Sequence, residues 1–140
     1  MKSETSTYAG FEFEVDGFPG IAIINSDLAK LENHFEYAYS VFIDLIPDSF
    51  NEFGHPEEKE YDYLNEVEKK MIEYLEHQTN TLHVGHSTIY RKREVFFYTK
   101  DPEKVSSFLE HFLSTIEREN SFDIEHDPQW ENVSGFYELL

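Results

Sequence analysis

The run "EVFFYT" at 94–99 is apolar on both of its alternating faces, the composition of a strand buried on two sides rather than one. A chain holding such a strand must cover a sheet above and below, which calls for an inner strand of a layered domain. Immediately after it, "DPEK" at 101–104 reads as a helix start. Asp101 stands at the N-cap, worth about 1 kcal/mol, Pro102 at the first helical position and Glu103 near the positive helix end. Val105, Phe108, Leu109, Phe112, Leu113 and Ile116 then form one wide apolar stripe.

The remaining elements follow from periodicity. "FEFEV" at 11–15 alternates, "DG" at 16–17 signals a tight turn, and "GIAII" at 20–24 returns. Pro19 suits an edge or a strand's first position. In "YAYSVFIDLI", Tyr37, Tyr39, Val41, Ile43 and Leu45 share a face. Leu64, Val67, Met71, Ile72 and Leu75 lie on one helical stripe, behind the loop "PDSFNEFGHPEEKE" at 47–60. "TLHVGHSTIY" resumes alternation, with Leu82, Val84, His86, Thr88 and Tyr90 expected on one side, and "RKR" at 91–93 is expected in a solvated hairpin turn. Phe122 and Ile124 mark a last strand.

The order is a hairpin followed by βαββαβ. The expected fold is therefore α+β: a ferredoxin-like antiparallel sheet with two helices on one face and an extra N-terminal β-hairpin. A single domain spans 1–140, with 1–25 as the hairpin extension, 36–126 as the βαββαβ core and 127–140 as a C-terminal segment. With 140 residues, folding buries roughly two thirds of the extended chain's surface, and an aromatic fraction of 16% supplies the bulk for that core.

Charge bounds the function. There are 29 acids against 11 Lys and Arg, a formal net of −18, a field that repels nucleic acid and anionic membrane and draws in basic surfaces. The expected partner is a basic protein, with neither nucleic acid nor membrane involved and a homodimer as a further possibility. Between Glu57 and His77 stand eight acids and three lysines. The outer faces of this helix and the loop before it, Glu57, Glu58, Glu60, Asp62 and Glu66, are the expected contact, with Tyr61 and Tyr63 as the anchors that affinity requires. Phe136 and Tyr137 are further aromatics of interest. No leader is read at the N-terminus and no apolar run approaches the roughly 20 residues of a membrane span, so a cytoplasmic location is expected.

Catalytic signatures are missing. Without cysteine there is no thiolate chemistry; GxSxG, HExxH, GxGxxG, P-loop and EF-hand patterns are also absent. His83 and His86, three apart in an expected strand, should point to opposite faces and could not share one ion. No metal, cofactor or catalytic residue is assigned. "IEHDPQW" at 124–130 reads as a strand end, a turn through Asp127 and Pro128, and a packing anchor at Trp130 whose indole N–H needs an acceptor, with a binding hot spot at Trp130 as the alternative.

"DGFPG", "NEVEKKMIEYLE", "VGHSTIYRKREVFFYTKDPEKV" and "HDPQW", in this order, resemble the uncharacterised bacterial family known as domain of unknown function 695. The resemblance implies a small α+β domain and brings no catalytic residues with it. A looser similarity, in architecture and acidity, is to regulator B of ribonuclease E, which binds and restrains a ribonuclease. The expected function is thus a non-catalytic acidic protein-binding module, a regulator or immunity-type inhibitor of a basic nuclease or toxin. Two alternatives are a small enzyme with a His/carboxylate pocket, using His83 or His86 in a cleft between the sheet and the N-terminal hairpin, and a self-associating structural domain.

Overall fold

The computed structural model describes residues 7–140; the first six residues of the expected hairpin extension lie outside the described residues. The chain runs β1 (Tyr8–Val15), β2 (Phe18–Asn25), β3 (Tyr39–Leu45), α1 (Glu58–Gln78), β4 (Thr81–Ile89), β5 (Lys92–Thr99), α2 (Pro102–Ser114), β6 (Asn120–His126) and α3 (Ser134–Glu138). All neighbouring strands pair antiparallel in one six-stranded sheet of order β1-β2-β4-β5-β3-β6. The fold is α+β, and its sheet is larger than the four strands of the expected core because the hairpin joins it on the β4 side.

Two apolar layers explain the two-faced β5. On one side, Val95 and Phe97 join Val41, Ile43 and Leu45 of β3 beneath Leu64, Val67, Met71 and Leu75 of α1 and Val105, Leu109 and Leu113 of α2. On the other, Phe96 and Tyr98 join Ala22 and Ile24 of β2, Leu82 and Val84 of β4, and Leu28, Trp130 and Val133. That second layer is roofed by short 3-10 turns at 26–30 and 34–36 and by the C-terminal segment. Tyr37 belongs to this layer, outside β3, and not to the face of Val41.

Local chemistry sets the connections. Asp16 and Gly17 both hold positive φ (52° and 85°), the backbone that a two-residue hairpin with the strands' twist demands. The β4–β5 turn is Tyr90–Arg91, again with positive φ at both positions. The basic cluster is consequently split. Arg91 sits in the turn, but Arg93 is a strand residue and fully buried, so the expectation of a solvated "RKR" is corrected. Pro19 lies in β2 opposite Glu14, just before the β2–β4 ladder opens at Gly20, where its missing N–H costs no bond to β4.

Helices α1 and α2 leave the hairpin side of their sheet face without a helix above it. There Ile21 and Ile23 of β2 look toward the flank of α1 and the loop at 50–56, and an open cleft follows this line.

Candidate functional site: a histidine and glutamate cluster beside the α1 cleft

A bulge creates the site. In the β4–β5 ladder, His83 pairs with Phe97 and Gly85 with Phe96, so Val84 is an extra residue. Inserting one residue reverses the alternation beyond it. His86 therefore shares the α1 face with His83, while Leu82 and Val84 face the other layer. The expectation that the two histidines point apart is overturned by this one residue. Gly85 permits the bulge: its φ is +148°, and a Cβ there would stand 2.0 Å from the Ile23 carbonyl oxygen.

Both rings converge on Glu68 of α1. His83 Nε2 lies 2.8 Å from its carboxylate, and His86 Nδ1 also 2.8 Å. Tyr8 of β1 places its hydroxyl 2.8 Å from His83 Nδ1. Arg93 of β5 donates from Nη1 to Glu68 at 3.2 Å and to Asn65 Oδ1 at 2.8 Å. An ionised carboxylate only accepts, so His83 donates to it from Nε2 and His86 from Nδ1; in the neutral His83 ring, Nδ1 then accepts from Tyr8.

Burial works to raise the Glu68 pKa, yet the hydrogen bonds from His83 and His86 outweigh it and hold the carboxyl well below the usual range. Burial pushes the Tyr8 phenol well up, helped by the charges of Glu76 and Glu68, so this hydroxyl stays protonated and serves as a donor. Arg93 is drawn down by burial but remains a cation. It stands under the ring of Tyr61 at 5.2 Å, and among the described residues its Nε and Nη2 have no hydrogen-bond partner.

The cluster opens on two cavities that meet at His86. One, of about 430 Å³, is lined by Tyr8, Asn65, Glu68, Lys69, Ile72 and their neighbours. The second, of about 290 Å³, lies between β2, the 51–56 loop and Tyr61. Among the described residues, no three or more His, Asp and Glu side chains are grouped to hold a metal ion.

The predicted contact residues divide. Glu57, Glu58, Asp62 and Glu66 are exposed, and Tyr61 is 45% exposed at the cleft. Glu60 is not on that surface. It is buried, takes a two-pronged bond from Arg118 and accepts from the Asp48 backbone, and the Arg118 hydrogen bond holds its pKa low. Its place in a contact face is corrected: a salt bridge closes the loop before α1 onto the β6 end. Tyr63 is half-buried beneath the Arg118 guanidinium. Phe136 and Tyr137 pack on the second layer, Tyr137 donating to the Asn25 carbonyl.

Pro102 occupies the first position of α2 and Asp101 its N-cap, but the Asp101 carboxylate makes no cap bond. It accepts instead from the backbone and side-chain nitrogens of Asn80, tying the start of α2 to the turn ahead of β4. Asp127 is buried and accepts from Tyr98 and from the backbone of Glu131 and Asn132. Pro128 follows in the turn, half-buried. Trp130 is buried, stacks on Tyr98 at 4.1 Å and donates to the carbonyls of His34 and Tyr37.

Sequence reasoning missed Glu68, Arg93 and Tyr8, because each is an ordinary residue of its element until the fold pairs it. The signal that could have found the site is the glycine inside "HVGHS", since an interior strand glycine marks a bulge.

A six-stranded antiparallel sheet with helices against one face, and a polar cluster opening on a side cleft, defines a small α+β domain. The particular family follows from comparison with known proteins: the family model described as "Family of unknown function (DUF695)" matches residues 9–137, and the chain belongs to that family. No curated protein and no solved structure matches it, and the looser likeness to regulator B of ribonuclease E is not shown. No helix among the described residues is long and apolar enough to cross a membrane.

Proposed function

We propose that this protein is a non-catalytic binding module that holds a basic protein, as a regulator or immunity-type inhibitor of a basic nuclease or toxin in a bacterial cytoplasm. The observation that carries this reading is an exposed apolar cluster with an acidic rim. Phe53 is 52% and Ile21 41% exposed, and with Tyr61 they line two adjoining cavities that share Ile21 and His55. Glu12 and Glu14 line the outer cavity, and Glu57 and Glu58 follow Pro56 at the start of α1. Apolar and aromatic anchors at the centre with charge at the edge are what a protein interface requires, and the acids would steer a basic partner to them.

The fold is in keeping with this. The strand order β4-β5-β3-β6, with both long helices on one face, supports a ferredoxin-like reading of the 36–126 core, to which the hairpin adds the cleft wall. One domain across 1–140 accommodates both.

The test is a pull-down from the native lysate at low and moderate salt, with wild type beside two variants. In one, Glu12, Glu14, Glu57 and Glu58 become lysine; in the other, Phe53 and Tyr61 become serine. The reading expects a basic protein retained by wild type at moderate salt and lost by both variants. Equal retention by all three baits would remove this face from consideration.

A further inference from the structure

Two histidines from different elements line the smaller cavity, and each has one ring nitrogen already committed. His55 Nε2 lies 2.7 Å from the Pro19 carbonyl oxygen. A carbonyl only accepts, so in the neutral ring Nε2 carries the proton and Nδ1 keeps a lone pair. His86 Nδ1 is bonded to the Glu68 carboxylate, so its lone pair is on Nε2 by the same logic. Neither lone-pair nitrogen has a partner among the described residues. Ile21, Ile23, Pro56 and the half-exposed Tyr61 supply apolar walls around them.

We propose that this cavity seats a lysine side chain of the basic partner, with its ammonium donating to His86 Nε2 and His55 Nδ1 and its methylenes packed on Ile21, Ile23 and Tyr61. The inference rests on the binding-module reading above and names the chemistry of its anchor. Two separate lone pairs suit a compact ammonium with three donors. A guanidinium fork, by contrast, is matched to the paired oxygens of a carboxylate, which this wall does not present. An anionic ligand would meet lone pairs and the field of Glu12, Glu14 and Glu57. The acids at the rim favour the positive charge, and a stem of four methylenes bridges an apolar wall to a polar end as lysine does elsewhere.

The probe is n-butylammonium, titrated into the full chain and followed by NMR of the isoleucine methyls and histidine rings. Saturable shifts at Ile21, Ile23 and His86 in the millimolar range are expected of so small a ligand. n-Butyltrimethylammonium keeps the charge and stem but has no N–H, and should bind at least about 10-fold more weakly, as should n-butylammonium to His55→Phe or His86→Phe. His55 sits on a loop outside the Glu68 cluster, so its variant answers the question even where His86→Phe unfolds. Equal affinity for the two cations would overturn the proposal, as would zinc chloride alone saturating both rings at lower concentration. Hexalysine at low salt separates the levels. Tighter binding to wild type than to His55→Phe supports the lysine seat. Equal binding overturns the seat and leaves the acidic face standing, and no binding to either protein overturns both.

Discussion

The phenol of Tyr98, in the middle of the sheet, donates a 2.6 Å hydrogen bond to Asp127, and the same carboxylate caps the C-terminal turn by accepting from the backbone nitrogens of Glu131 and Asn132. Trp130 then stacks on Tyr98 with the rings 17° from parallel. One buried acid thus fastens the segment that roofs the second apolar layer. Asp127→Ala removes all three bonds and should cost about 3 kcal/mol, while Tyr98→Phe should cost about 1.5 kcal/mol, within the range for hydrogen bonds to a charged group. The two losses should fall short of additivity by about 1 kcal/mol in a urea double-mutant cycle. Strict additivity would mean that the pair is not coupled.

The same pair makes an alkaline limit. Burial, and then the bond to Asp127, push the Tyr98 pKa far above its ordinary value. A group whose folded pKa is raised contributes stability that is complete below its unfolded pKa and is lost as pH rises toward the folded value. With an unfolded phenol near about pH 10, unfolding free energy should decline from there upward, in step with Tyr8 and Tyr137, which burial also raises. Tyr98→Phe should make that decline shallower, read from urea midpoints between about pH 8 and 11. An unchanged slope would place the alkaline loss in other groups.

How far the fold could be read from residues alone depended on how local each cause was. The two-faced β5, the Leu64 to Leu75 stripe and Pro102 at the head of α2 each carry their signal within a few positions, and all three stand where their patterns place them. Arg93, Glu60 and Glu68 do not. Each is a charged residue whose burial is settled by a distant partner: Glu60 meets Arg118 across 58 residues and Glu68 meets Arg93 across 25. A helical wheel places such an acid by charge on the wet side, and only the ion pair reverses it. The site was lost for a smaller reason still, the single unpaired residue at Val84, which turned His86 to the other face.

Glu68 and Arg93 supply the next prediction. Arg93 is wholly buried, so Glu68→Ala leaves its cation unpaired and should destabilise by about 3–5 kcal/mol. Glu68→Leu combined with Arg93→Met should recover only part of that loss: the desolvated charges disappear together, but His83 Nε2 and His86 Nδ1 still lack their acceptor. The acid limb should change too. A depressed folded pKa contributes stability that is present above the unfolded value, about pH 4.3 for Glu, and lost as pH falls toward the folded one. Wild type should therefore weaken below about pH 4.5, and Glu68→Gln, which has nothing to protonate, should weaken less steeply. The remaining slope belongs to groups such as Glu60. A double variant as unstable as Glu68→Ala would show that the pair is not what fixes this corner of α1.

Gly85 offers the sharpest test of the bulge. A methyl group there would stand 2.0 Å from the Ile23 carbonyl oxygen and 2.9 Å from Ile24 Cα, both of them backbone atoms of β2 that cannot step aside without opening the β2–β4 ladder. Gly85→Ala should cost more than about 3 kcal/mol, the size reserved for steric and strained-backbone failures. Gly17, with φ +85° but nothing among the described residues within 4 Å of an added Cβ, is the control: Gly17→Ala carries backbone strain alone and should cost about 1 kcal/mol. The register adds a second readout. If Gly85→Ala survives by expelling the bulge, alternation returns to normal, His86 turns away from α1, and its Nδ1 proton loses the carboxylate of Glu68. An NMR spectrum of the histidine rings would show that loss. A variant of native stability with the His86 to Glu68 bond intact would mean that the chain at 83–86 tolerates a side chain where the close approach of β2 forbids one.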